Sequence, residues 1–175
     1  DPRFLKKGQF WGEFKFAVRL IIIAGDPKDP EMALTREPSS LKLALTGGGI
    51  RHLQNPREAA TAESSEELGL DIAPERWKYV RTVRFFDVRN RWMRVSRLLT
   101  VFLSQEERTA HPILQPRKNV DVVRGLKAIW FPIKEIRISA PQTNLRLKDG
   151  TAQMLRAGWA IARRRLQLMM RALTP

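Results

Sequence analysis

Three carboxylates could do chemistry together. Glu63, Glu66 and Glu67 stand at i, i+3 and i+4, so a helix would bring all three to one side. Such an arrangement is costly on its own, because like charges at these spacings repel by roughly 0.2–0.5 kcal/mol per pair. A divalent cation would turn that repulsion into ligation, since hard ions such as Mg²⁺ take carboxylate oxygens and keep several waters. Glu58, Asp71 and Glu75 crowd the same stretch, in a chain with only 18 acidic residues and a net charge of +14. A solvated acidic face, or one paired with nearby arginines, is the alternative for such a cluster.

The surrounding sequence has the means to hold a helix there. Asn55 before Pro56 predicts a side-chain cap followed by proline in the first turn, and Gly69 predicts the end, giving a helix over 55–68. Just upstream, Gly47-Gly48-Gly49 permits backbone conformations barred to other residues. Phe14 to Ile23 reads as a strand closed by Gly25-Asp26-Pro27, and Leu41 to Leu45 as a short strand. Trp77 to Asp87 and Trp92 to Ser104 read as a long hairpin, and Gly125 to Phe131 as a further strand. Lys28 to Ser40 has prolines and charges without periodicity and reads as a surface loop. The final segment sets Leu155, Trp159, Ala162, Leu166 and Leu173 along one stripe of a predicted helix over 150–173, with a solvated basic face opposite.

The stretch from Gly47 to Leu70 resembles the signature of the Nudix family. Gly48 opens that pattern, Glu63, Glu66 and Glu67 fill its later glutamate positions, and Gly69-Leu70 closes it. The run Trp130 to Ile136 (WFPIKEI) is similar to a strand-to-helix passage late in such domains. The resemblance implies an α/β fold, an α/β/α sandwich with a mixed central sheet, the glutamate-bearing helix and a C-terminal amphipathic helix. One domain would span 1–175, with 1–13 as an N-terminal extension. It also implies hydrolysis of a diphosphate joined to another group, with Mg²⁺ or Mn²⁺ held by Glu63, Glu66 and Glu67. The pattern is broken in places. Gln54 replaces its first glutamate, Ala62 its arginine, Ser64 an aliphatic residue, and Leu53 a glycine. An amide cannot act as a charged ligand or take a proton from water, and without the arginine Glu63 loses an orienting partner. Asp121, Glu106 and Glu107 are the acids before Trp130, and none can be assigned as a base from sequence.

The rest of the chain is strongly basic. Arg81, Arg84, Arg89, Arg91, Arg94 and Arg97 fall within the hairpin among Phe85, Phe86, Trp92 and Met93, and Arg163 and Arg164 fall in the last helix. This mixture suits phosphate contacts and base stacking, although strand alternation allows only part of the set to share one surface. RNA or a ribonucleoprotein particle such as a ribosome is the expected partner, with diphosphate chemistry weakened or lost. The alternative is an active Mg²⁺- or Mn²⁺-dependent diphosphohydrolase acting on a nucleoside diphosphate-linked substrate or an RNA 5′ end. The absence of cysteine excludes disulfides, thiolate metal sites and cysteine nucleophiles, and His52 and His111 are isolated. The apolar run from Leu20 to Gly25 is too short to span a bilayer, so a soluble protein of the mitochondrial matrix or cytoplasm is expected, with no membrane partner.

Overall fold

The computed structural model describes residues 14–36, 43–51, 53–87 and 92–136, with 164, 167 and 168 in the final segment. The expected N-terminal extension and nearly all of the expected C-terminal helix therefore lie outside the described residues; Arg164, Gln167 and Leu168 are helical and exposed.

The architecture is mixed α/β, built on a six-stranded sheet. Strand β1 (Phe14–Ala24) runs parallel to β5 (Trp92–Leu103), in register from Phe14↔Met93 to Ala24↔Leu103. Its apolar run is continuous rather than alternating because Val18, Leu20, Ile21, Ile22 and Ile23 are buried on both sheet faces. Strand β4 (Lys78–Asp87) pairs antiparallel with β5, as the hairpin pattern predicts, with a register shift between Tyr79 and Arg81.

The segment read as a loop is corrected in part: Glu31–Arg36 is strand β2, and Met32, Ala33 and Leu34 are fully buried. It pairs with the end of β1, with β3 (Leu43–Ala44), and along six positions with β6 (Lys127–Pro132). A six-residue strand covered on both faces shows no alternation, so its sequence carries little strand signal. β2 reaches only Ile23 and Ala24 of β1. The rest of that edge is taken by Thr46–Ile50, through Leu20 N–H to Thr46 O and Val18 N–H to Gly48 O (2.9 Å each) and a bridge between Ala17 and Gly49.

Helix α1 (Pro56–Leu68) begins where the sequence predicts. The Asn55 side chain accepts from the Arg57 N–H at 2.9 Å, and Gly69 ends the helix in the left-handed conformation. Ala59, Ala60 and Leu68 pack on one sheet face with Val18, Leu20, Leu99, Val101 and Trp77. Trp77 is fully buried; its indole N–H donates to Thr61 Oγ1 at 3.1 Å, and that hydroxyl donates to Ile72 O at 2.7 Å. The opposite face buries Ile21, Ile23, Met32, Leu34 and Leu98.

Two short helices follow β5: α2 (Gln105–Ala110) and α3 (Asn119–Val123). Ser104 and Glu107 form a reciprocal capping box at the start of α2, and Glu107 also pairs with Arg76. After β6 the chain makes a 3-10 turn over Ile133–Glu135.

Trp77→Ala should cost about 3–5 kcal/mol, through lost burial and the cavity left behind. Trp77→Phe should cost less, and urea unfolding of both variants tests this order.

Candidate active site at the glycine loop and the glutamate helix

The site begins where the loop beside β1 passes under α1. Gly47 has φ 140, and a Cβ there would stand 2.2 Å from the carbonyl oxygen of Val18, a backbone atom that cannot step aside. A Cβ on Gly48 would stand 2.1 Å from Glu63 Oε1. At position 47 only glycine lets the loop lie against β1, whereas a Cβ at position 48 would displace the end of the Glu63 side chain.

The helix puts the three glutamates on one side, and their surroundings differ. Glu67 Oε2 accepts the Gly47 N–H at 3.1 Å, while the Gly47 carbonyl accepts from the Arg19 guanidinium. Burial pushes the Glu67 carboxyl up to about 7, with the charge of Glu63 adding to the rise and the Gly47 N–H opposing it. Burial also raises Glu63, against the favourable charge of Lys118. Glu66 is more exposed and pairs with Lys118, Nζ to Oε2 at 2.6 Å. Arg19 is itself lowered by burial, with Glu67 and Glu63 counteracting.

Among the described residues, no three acidic or histidine side chains are gathered closely enough to enclose one metal ion. Mg²⁺ does not need such a cage, because it is bound through one or two carboxylates and keeps waters. Glu63 and Glu67, one helical turn apart and with the charge of Glu63 raising the proton affinity of Glu67, have the donor chemistry that fits. Glu66 could join them on leaving Lys118.

Beside Gly48 a cavity of about 910 Å³ opens where β1 and β5 begin. Lys15, Arg19, Arg51, Arg94 and Arg97 line it together with Phe16, Gly48, Leu53 and Gln54, and among the described residues no acidic one does. Two of the expected phosphate contacts, Arg94 and Arg97, therefore belong to a concave site. Arg81 and Arg84 are exposed on β4 outside that lining, Arg164 is exposed, and Arg89, Arg91 and Arg163 lie outside the described residues. Arg84 is paired with Val95, placing it on the sheet face of Arg97 and opposite that of Arg94.

The profile of the NUDIX domain family matches residues 14–154. This chain belongs to the Nudix family. Among solved structures, the NUDIX domain of Shewanella oneidensis NrtR, complexed with ADP ribose, superposes with a TM-score of 0.62 at 14% identity over 94% of this chain and 96% of that one. A NUDIX hydrolase from Nitrosomonas europaea gives 0.59 at 17% identity over 85% and 90%. A MutT/nudix family protein from Enterococcus faecalis gives 0.55 at 16% identity over 70% of this chain, which spans 45% of that protein's length. A search among curated proteins finds no significant sequence match.

The departures from the Nudix pattern have local explanations. Ser64 is fully buried, facing inward as its aliphatic counterpart would, and its hydroxyl lies within donating reach of Leu70 O (2.9 Å) and Thr61 O (3.0 Å). Leu53 keeps a glycine-like φ of 61 with its side chain 93% exposed. Gln54 Oε1 accepts the Arg51 N–H at 3.0 Å, closing a turn at the cavity wall. With Ala62 unable to supply a guanidinium, Arg19 brings that charge to Glu67 and Glu63 from a strand.

Sequence reasoning missed Lys15, Arg19, Arg51 and Lys118 because they come from separate elements. Arg19 left one trace, a lone cation inside the apolar run from Ala17 to Ile23. Asp121, unassigned from sequence, lies where its charge reaches Glu63, Glu67 and Lys118.

Two outcomes follow. Gly47→Ala should destabilise the fold by roughly 2 kcal/mol or more through strain at positive φ and the clash with Val18, measurable by chemical denaturation. The folded Glu67 carboxyl keeps its proton to about pH 7, while an unperturbed one loses it near 4.5, so the folded state binds more protons in that window. Metal-free stability should therefore fall by roughly 3 kcal/mol as pH rises through it, and Glu67→Gln should remove most of that loss in urea titrations at several pH values.

Proposed function

We propose that this Nudix domain binds a nucleoside diphosphate-linked anion in the cavity beside Gly48 and hydrolyses it slowly with Mg²⁺ or Mn²⁺. One observation carries the reading: Gly48 lines the cavity among five cationic side chains and lies against the Glu63 carboxylate. A diphosphate held by those cations would lie next to the glutamates. Arginine suits the task because its planar fork matches phosphate oxygens, and Phe16 and Leu53 offer apolar surface to the group beyond the phosphates.

Glu63 and Glu67 would hold the cation, with Glu66 joining them. The ion, when bound, neutralises phosphate oxygens and lowers the pKa of an attacking water. Arg19 and the Gly47 N–H keep the Glu67 carboxylate in place. Gln54 sets the expected pace, since an amide there neither binds a cation as an anion nor accepts a proton.

ADP ribose is the first compound to try, given the NrtR complex. Release of product should require the metal, fall about a hundredfold or more in Glu67→Gln, and rise in Gln54→Glu. Arg51→Ala should chiefly raise KM. Turnover indifferent to metal and to Glu67→Gln would sink the proposal.

A second reading, association with RNA or a ribonucleoprotein with the hydrolytic chemistry weakened or lost, is supported by the +14 charge and by Arg81, Arg84 and Arg97 exposed along the hairpin. It requires binding to structured RNA that weakens steeply with salt. Affinity unchanged by salt would exclude it.

A further inference from the structure

Lys118 supplies the glutamate helix with a positive charge from outside the helix. The chain from Gln115 to Lys118 crosses the end of α1, and three backbone N–H groups dock it: Gln115 to Leu68 O at 3.1 Å, and Arg117 and Lys118 to Glu66 O at 2.7 and 3.2 Å. Arg117 adds side-chain hydrogen bonds to Asp71 (2.8 and 2.9 Å) and to Gly69 O (2.9 Å). With docking provided by those bonds, the Lys118 ammonium is not needed to hold the segment. It reaches instead to Glu66 Oε2 at 2.6 Å, and its charge is also felt by Glu63. The Lys118 carbonyl accepts from the N–H groups of Asp121 and Val122 at 2.9 and 3.0 Å, so the start of α3 fixes the backbone from which the ammonium extends.

We infer that Lys118 is a built-in counter-ion of the glutamate helix, competing with a divalent cation for Glu66, so that a metal ion engages all three glutamates only when Lys118 swings away. The inference rests on the reading of Glu63, Glu66 and Glu67 as metal ligands. Its physical basis is that one carboxylate oxygen cannot serve an ammonium and a metal ion at the same distance, and the two positive charges repel. A lysine suits such a role better than an arginine, being a point charge on a flexible stem with no planar fork to lock it in place. Both partners are partly exposed, so an exchange need not open the core.

Mn²⁺ binding followed by electron paramagnetic resonance on the full chain tests this without relying on turnover. Lys118→Met should bind Mn²⁺ roughly tenfold more tightly than wild type, a modest factor because solvent screens the pair. Lys118→Gln should shift the same way, Lys118→Arg should bind no more tightly than wild type because its fork holds Glu66 more firmly, and adding Glu66→Gln to Lys118→Met should remove the gain. The midpoint of thermal unfolding should also rise more with Mn²⁺ in Lys118→Met than in wild type. Equal or weaker binding by Lys118→Met, or a gain that survives Glu66→Gln, overturns the inference while leaving the proposed hydrolysis intact. Absence of Mn²⁺ binding in every variant overturns both.

Discussion

The arrangement depends on a glycine with backbone where a side chain would go and on a second glycine seated under a carboxylate. Gly47 lies against the carbonyl of Val18, and Gly48 lies against the carboxylate of Glu63. Because Thr46–Ile50 occupies the edge of β1 that β2 does not reach, the same loop completes the sheet and forms the floor under the glutamates. A methyl group at either position would push the loop off the strand or the carboxylate off the loop. The cavity with its cationic lining shares that loop, so ligand surface and acidic helix are positioned by one constraint.

The second constraint is charge. Carboxylates one turn apart repel, and partial burial raises the cost of ionising Glu63 and Glu67. Cations from two other elements offset this. Arg19 approaches from β1 through the Gly47 carbonyl, and Lys118 approaches ahead of α3 to reach Glu66. Neither belongs to the helix, whose last turn has no basic residue. In a family whose pattern places arginine beside the glutamate, this chain has Ala62 and draws its positive charge from tertiary neighbours.

Legibility followed the range of the interactions involved. Asn55, Pro56 and Gly69 bounded α1 because capping is local, and the long runs of β1, β4 and β5 had enough apolar and aromatic residues to declare themselves. The Ser104–Glu107 capping box that starts α2 was also local and could have been read from its spacing. β2 could not, since Met32 to Leu34 owes its strand to partners on both edges. Gln54, Ala62 and Ser64 were recognisable as departures. That Ser64 is buried with its hydroxyl directed at backbone carbonyls, and that Gln54 closes a turn, emerged only in three dimensions.

The sequence by itself determined the family, the glutamate helix and the side of that helix on which the carboxylates fall, because fixed spacing on a regular helix dictates geometry. Only the tertiary structure decided which cation meets which glutamate, and which arginines turn from a diffuse basic surface into the lining of one cavity. Those choices depend on strand register and loop placement, which bring Arg19, Arg51 and Arg94 into one lining and Lys118 to Glu66. No local pattern encodes a contact between residues whose separation is set by the path of the whole sheet.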